Sequence, residues 1–166
     1  MDTKECWNAV RTTFQAMDMP APSQENWEAA WDAATFAGNR YDREADERLA
    51  WNKAGREGYY TKQAKVGTLL RLAVACRAAA RAVKYAAQAE ASIASAAKHA
   101  DTAAQARRDA VEWESVAPIL VPDRLRCAEL YESAEAEARQ AAKEYSLKSI
   151  KAAEAAIEAA RGTNNV

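Results

Sequence analysis

The sequence has few of the residues that build most catalytic and metal-binding sites. It contains one histidine, His99, and three cysteines, Cys6, Cys76 and Cys127, which lie far apart. Zinc sites need several such ligands at short spacing, and a di-iron bundle needs Glu-x-x-His motifs, which are absent. We therefore expect no metal, no cofactor and no catalytic residue.

Glycine and proline are also rare, with five and four residues in the chain. No segment has the glycine spacing of a dinucleotide-binding turn or a phosphate-binding loop, and no GxSxG motif occurs. These absences argue against nucleotide-dependent enzymes and against hydrolases that use a nucleophile elbow.

The chain lacks any long apolar run, because charged residues interrupt each candidate stretch. A membrane-spanning helix needs about 20 mostly apolar residues. The first residues, MDTKECWNAV, lack the basic and apolar regions of a signal peptide. An odd number of widely spaced cysteines is typical of a reducing compartment. We expect a cytoplasmic protein without membrane contact.

Alanine is what the sequence has in abundance, with 43 of 166 residues. It is the best helix former, and no glycine or proline occurs between Thr68 and Glu114, so this segment is predicted to be helical. An unbroken helix of that length would reach about 70 Å. A break at Asp101-Thr102, where Thr102 and Gln105 match a capping box, is the alternative to one continuous helix.

At 3.6 residues per turn, the long helix has a polar and an apolar stripe. The polar stripe comprises Arg77, Arg81, Lys84, Gln88, Ser92, Ser95, His99, Thr102, Gln105, Asp109 and Glu112. The apolar stripe, which is predicted to pack inward, comprises Leu72, Cys76, Ala79, Val83, Ala86, Ile93, Ala97, Ala100, Ala104 and Val111.

Turn and cap residues divide the rest of the chain. Residues 1–58 are predicted to form three short helices, interrupted by the DMPAP segment and by Gly38-Asn39. Pro118 and Pro122 are predicted to exclude helix between the long helix, residues 62–115, and a final helix, residues 123–161. The short connection favours antiparallel packing of these two. The predicted fold is a single all-α domain, residues 1–166, forming an elongated bundle of two long Ala-rich helices and three short N-terminal ones.

Charge is distributed unevenly although the net charge is only −1. Residues 1–58 are acidic overall, whereas Arg77, Arg81 and Lys84 form a basic stripe on one helix face. Such a stripe could dock an acidic protein surface or a phosphate backbone, or pair with the acidic N-terminal third. No aromatic residue interleaves with it, which disfavours a nucleic-acid partner.

Aromatic residues are concentrated in the N-terminal third. Tryptophan, tyrosine and arginine dominate the energetics of protein interfaces, although aromatic rings also build cores. We expect a partner to bind the short N-terminal helices, at Trp27, Trp31, Arg40, Tyr41 and Arg48.

No motif ties the chain to a family, but its Ala-rich helical composition resembles small phage and mobile-element proteins and some immunity proteins. The resemblance implies a non-enzymatic protein-binding module, such as an inhibitor, an immunity-type protein or an adaptor, that occludes another protein. Two alternatives remain open. One is a nucleic-acid-associated helical protein that uses the basic segment 62–84, and the other is a self-assembling component, for which a homodimer is the simplest form.

Overall fold

The computed structural model describes residues 24–53 and 59–161, together with Asn8, Arg11 and Gln15. These residues form three α-helices: α1, Gln24–Lys53; α2, Tyr59–Trp113; and α3, Val121–Arg161. No β-strand occurs among them. The all-α class is therefore confirmed, as is the packing of two long helices together. The first predicted short helix lies outside the described residues except for Asn8, Arg11 and Gln15, which are helical.

Helix α1 continues through Gly38 and Asn39, so the predicted helix end at this point is wrong. Gly38 lies inside the helix, on the side that faces α2. A Cβ built on Gly38 would lie 3.4 Å from the Cβ of Cys76 and 3.8 Å from the carbonyl oxygen of Ala73. The glycine therefore lies at the contact between two helices, where an added Cβ would meet its neighbours at ordinary contact distances, and it does not end α1.

Helix α2 is one continuous element of 55 residues, as predicted, and no break occurs at Asp101-Thr102. The hydroxyl of Thr102 donates to the carbonyl oxygen of Lys98 at 2.9 Å, and the Gln105 amide donates to Asp109 at 2.7 Å. Both side chains thus bond within the helix, and they do not form the predicted capping box.

The connection between the long helices is more helical than predicted. A 3₁₀-helix spans Pro118–Leu120, and α3 begins at Val121, so that Pro122 lies in its first turn. Backbone N–H groups in the first turn have no partner within the helix, and proline at that point therefore loses no hydrogen bond. The two prolines start helices here instead of excluding them.

The chain divides into two compact units. The first unit comprises Met1–Ala87 and Leu147–Val166, and the second comprises Gln88–Ser146. The single domain and the elongated shape stay predictions.

The first unit holds the larger core. Segments of α1, α2 and α3 meet around Leu69, Leu72, Cys76 and Val83, which are its largest fully buried side chains. Burying an aliphatic side chain of this size contributes about 1.5–3 kcal/mol. The Oγ of Ser149, which is also buried, donates to the carbonyl oxygen of Ala82 at 2.9 Å and joins α3 to α2.

The second unit is a pair of helical segments with an alanine core. Its buried side chains on α2 include four alanines spaced by seven residues: Ala89, Ala96, Ala103 and Ala110. Ala128 and Ala142 are buried on α3, also at a multiple of seven. A seven-residue repeat of small side chains keeps one seam of each helix facing its neighbour.

Polar and aromatic contacts surround this seam. The guanidinium of Arg107 donates to both carboxylate oxygens of Glu132, at 2.8 and 3.0 Å. The rings of His99 and Tyr131 are stacked with centroids 5.8 Å apart. Arg124 lies 4.3 Å from the ring centroid of Trp113. His99, on the predicted polar stripe, therefore contacts α3.

The predicted inward stripe of α2 is correct in the first unit and wrong in the second. Leu72, Cys76, Ala79 and Val83 are buried as expected. Ile93, however, is 58% exposed and Val111 is 72% exposed, with Ala97 and Ala104 exposed between them. The alanine seam at Ala89–Ala110 packs inward instead, because it lets α3 approach closely on that side.

Replacing Gly38 with alanine is expected to raise the free energy of unfolding by about 0.5–1 kcal/mol. Alanine is favoured over glycine inside a helix, and the new Cβ would meet Cys76 at an ordinary contact distance. Gly38→Leu should instead destabilise by about 1–3 kcal/mol through overpacking. Urea denaturation measures both changes.

Gly67→Ala is the matched control, since a Cβ there meets nothing within 4 Å and reports helix propensity alone. If Gly38→Ala destabilised the protein while Gly67→Ala stabilised it, the prediction that a Cβ at Gly38 fits beside Cys76 would be wrong.

Ser149→Ala is expected to lower the free energy of unfolding by about 0.5–1.5 kcal/mol, because it removes a buried hydrogen bond between two helices. Ser146→Ala, at an exposed position on the same helix, should change stability by less than about 0.5 kcal/mol. Equal effects in the two variants, measured by urea denaturation, would show that the bond to Ala82 contributes nothing.

Candidate partner-binding surface

The predicted partner-binding aromatics divide between the core and the surface. Trp27 is buried and packs with Ala30 and Val83, and Tyr41 is buried among the alanines of α1 and the core of α2. Their rings stabilise the first unit. Trp31 remains 44% exposed and is the predicted aromatic residue that a partner could contact.

The two predicted arginines of α1 are on the surface. Arg40 lies 3.6 Å from Glu44, one helical turn further on. Arg48 is exposed near the end of the helix. Helical spacing separates Arg40 from Trp31 by nine residues, or half a rotation, so they face opposite sides of α1. The five predicted residues therefore do not form one surface.

All three residues of the basic stripe on α2 are exposed. Arg77 forms an ion pair with Asp42 of α1. Pairing with the acidic N-terminal third was one of the alternatives that the sequence left open for the basic stripe. Arg81 and Lys84 have no carboxylate partner among the described residues.

Helical spacing places Trp31 on the side of α1 whose Asp42 pairs with this stripe. Trp31 and Asp42 are eleven residues apart, which is about three helical turns, so they share one side of α1. The Asp42–Arg77 pair joins that side to the basic stripe. Along α1, Trp27 packs with Val83 and Gly38 faces Cys76, so Trp31 lies at an intermediate level, where α2 carries Arg81. We name Trp31, Asp42, Arg77, Arg81 and Lys84 the Trp31 surface.

The Trp31 surface combines a partly exposed indole with cationic groups, one of which is already paired. An indole adds apolar area and a donor N–H, whereas arginine and lysine bind carboxylates and phosphates. The first unit thus carries an exposed indole on α1 and exposed cationic groups on α2.

In the described part of the chain, no group of three His, Cys, Asp or Glu side chains lies close enough together to hold a metal ion. His99 stacks on Tyr131, and its Nε2 lies 3.3 Å from the hydroxyl of Ser95. Cys76 is buried and Cys127 is partly buried, and neither forms a disulfide. Within residues 24–53 and 59–161, no helix is long and apolar enough to cross a membrane.

Comparisons with protein-family models, with curated proteins and with solved structures found no match.

Sequence reasoning missed the link between Trp31 and the basic stripe, because the two lie on different helices. The sequence contained only an indirect indication of it. Asp42 lies on the same side of α1 as Trp31, and its charge is opposite to that of Arg77. Only the packing of α1 on α2 makes the two face each other.

Proposed function

We propose that this chain is a non-enzymatic protein-binding module and that the Trp31 surface carries its binding energy. The single observation that supports the proposal is the Asp42–Arg77 ion pair, because it joins the side of α1 that carries the exposed Trp31 to the helix face that carries Arg81 and Lys84. Interfaces place aromatic residues and arginine at their energetic centre. A complementary partner is a protein with an acidic patch around an apolar side chain, such as the target of an inhibitor, immunity-type or adaptor protein.

The scaffold suits such a role, and we infer that its long helices run antiparallel. Contacts in the second unit support this. Asp109 of α2 lies 3.7 Å from Arg124, and Arg107 pairs with Glu132, so earlier positions in α2 meet later positions in α3. The short connection between Trp113 and Val121 favours the same arrangement. Such a scaffold would hold the Trp31 surface on regular helices rather than on loops.

A nucleic-acid partner is the second candidate, because Arg81 and Lys84 could also contact phosphates. Two features weigh against it. The charge of Arg77 is offset by Asp42, and Trp31 is the single aromatic ring among the five residues of the Trp31 surface that could stack on a base. Nucleic-acid binding would show a steep loss of affinity with salt, proportional to the number of phosphates contacted.

The decisive experiment captures partners from the lysate of the native host with the whole chain as bait. Trp31→Ala is expected to weaken binding of the captured protein by about tenfold or more, since central aromatic residues contribute most to interfaces. The double variant Arg81→Glu, Lys84→Glu should weaken binding of the captured protein by a similar factor. The loss of affinity relative to wild type should depend on the salt concentration. Both variants should keep the wild-type circular dichroism.

Matched controls separate this surface from the rest of the first unit. Phe36→Ala removes a ring that is 71% exposed and lies about 140° around α1 from Trp31. Lys151→Glu reverses an exposed charge on α3. Neither should change binding. If the Trp31 and Arg81/Lys84 variants kept the partner, or if Phe36→Ala lost it, the Trp31 surface would not be the binding site.

Point substitutions are preferable to deleting residues 1–58. That deletion removes α1, whose alanines and Tyr41 cover the core of the first unit at Leu69, Leu72 and Cys76. With these core side chains exposed, the truncated protein would aggregate or bind other proteins nonspecifically. Loss of a partner by the truncated chain would therefore not locate the site.

A further inference from the structure

The outer side of α1 is acidic around an exposed phenylalanine. The side chain of Phe36 is 71% exposed. Glu25 and Asp32 lie eleven and four residues before it, on the same side of the helix, and both are exposed. Neither carboxylate has a hydrogen bond or an ion pair among the described residues. We name Glu25, Asp32 and Phe36 the Phe36 face.

The outer side of α2 in the first unit is apolar at one end and basic at the other. Leu70 and Val74 are 42% and 50% exposed. They continue the row of Arg77, Arg81 and Lys84 at spacings of three and four residues, so all five side chains lie along one side of the helix. We name these five residues the extended stripe.

The charges of the Phe36 face and the extended stripe match when the two helices run antiparallel. Seven residues separate Glu25 from Asp32, and seven residues separate Arg77 from Lys84. In that arrangement Glu25 comes opposite Lys84, and Asp32 comes opposite Arg77. Arg81 then lies within about one helical turn of the levels of both carboxylates. Each acidic group therefore meets a basic one.

The apolar groups fall into the same register. Phe36 lies four residues after Asp32, and Val74 lies three residues before Arg77, so the ring and the valine meet at one level. Leu70 lies one helical turn beyond Val74 and extends the apolar contact. Aromatic and aliphatic side chains that are covered together bury apolar area in addition to the paired charges.

The two faces cannot meet within one chain. Gly38 lies on the side of α1 that faces α2, at Cys76 and Ala73. Phe36 is two residues away from Gly38, or about 200° around the helix, so it points away from α2. Only a second molecule can bring a Phe36 face to an extended stripe, and a second copy of this chain carries the complementary residues.

We propose that copies of this protein associate head to tail, with the Phe36 face of one chain packed antiparallel on the extended stripe of the next. Such a heterologous contact leaves one face free at each end of the pair. Association therefore continues beyond two chains unless a ring closes.

Self-association goes beyond the proposed function and competes with it for Arg81 and Lys84. The two activities differ in the aromatic residue that they use, because Trp31 lies about 140° around α1 from Phe36. Trp31→Ala should self-associate like wild type and lose the captured partner. Phe36→Ala should lose self-association and keep the partner. The failure of either proposal is thus seen separately from that of the other.

Charge reversal on either face should weaken self-association. The acidic-face variant Glu25→Lys, Asp32→Lys sets lysines against the extended stripe, and the basic-face variant Arg81→Glu, Lys84→Glu sets glutamates against the Phe36 face. Each variant should associate at least about tenfold more weakly than wild type, because like charges replace opposite ones. Sedimentation velocity across a concentration series measures the association constants.

An equimolar mixture of these two double variants should associate although neither does so well alone. The acidic-face variant retains a native extended stripe, and the basic-face variant retains a native Phe36 face. Their altered faces are also complementary, since lysines now oppose glutamates. A general loss of folding or of solubility would not be reversed by mixing.

Phe36→Ala tests the apolar part of the contact without a change in charge. It should weaken self-association by about tenfold at low and at high salt alike, because it removes an aromatic side chain from the interface. The charge-reversed variants should instead approach wild type as salt screens the charges.

The matched control is Glu137→Lys, Glu144→Lys, which changes two exposed carboxylates of α3 at the same spacing of seven residues. It should associate like wild type, and circular dichroism should show unchanged helicity in every variant. A wild-type protein that stays monomeric up to about 1 mM overturns the proposal. So does association that survives both charge reversals and Phe36→Ala, or a mixture of the two double variants that fails to associate.

Discussion

Close approach between alanine-lined helices is the constraint on which the rest of this structure depends. Alanines buried at intervals of seven residues line α2 from Ala75 to Ala110. Each alanine buries little apolar area, so each contributes much less than the 1.5–3 kcal/mol of a large aliphatic side chain. The small side chains let the axes of neighbouring helices approach closely. The Oγ of Ser149 reaches the backbone carbonyl of Ala82, a contact that bulkier neighbours would prevent.

The two units meet this constraint in different ways. The first unit adds a third helix, and Leu69, Leu72, Val83, Trp27 and Tyr41 provide the bulk that alanine lacks. The second unit has two helical segments and few large buried side chains. Its helices are joined by Arg107–Glu132, by the His99–Tyr131 stack and by Arg124 over Trp113. A unit of two helices necessarily leaves faces uncovered, and the exposed Ile93 and Val111 follow from that.

The same division accounts for which large side chains stay exposed. In the first unit Trp27 and Tyr41 are buried, whereas Trp31 and Phe36 remain exposed. In the second unit no aromatic residue of α2 lies on the open face, which carries alanine, two aliphatic residues and two opposite charges. The exposed side chains of the two units therefore differ, with an indole and cations in the first unit and aliphatic groups with both charges in the second.

The sequence by itself determined the helical class and the position of the turn near Pro118, because local propensity decides these features. It left open whether α2 is one helix or two. It misled at Gly38, where a glycine signals a helix end locally but lies inside α1, on the side that packs on α2. It also could not determine which side of α2 faces α3 beyond Ala87. With 43 alanines, several faces of the helix are almost equally apolar, so hydrophobic periodicity has no clear maximum. Only tertiary packing chose the seam at Ala89–Ala110, and it turned Ile93 outward because small side chains let α3 approach most closely there.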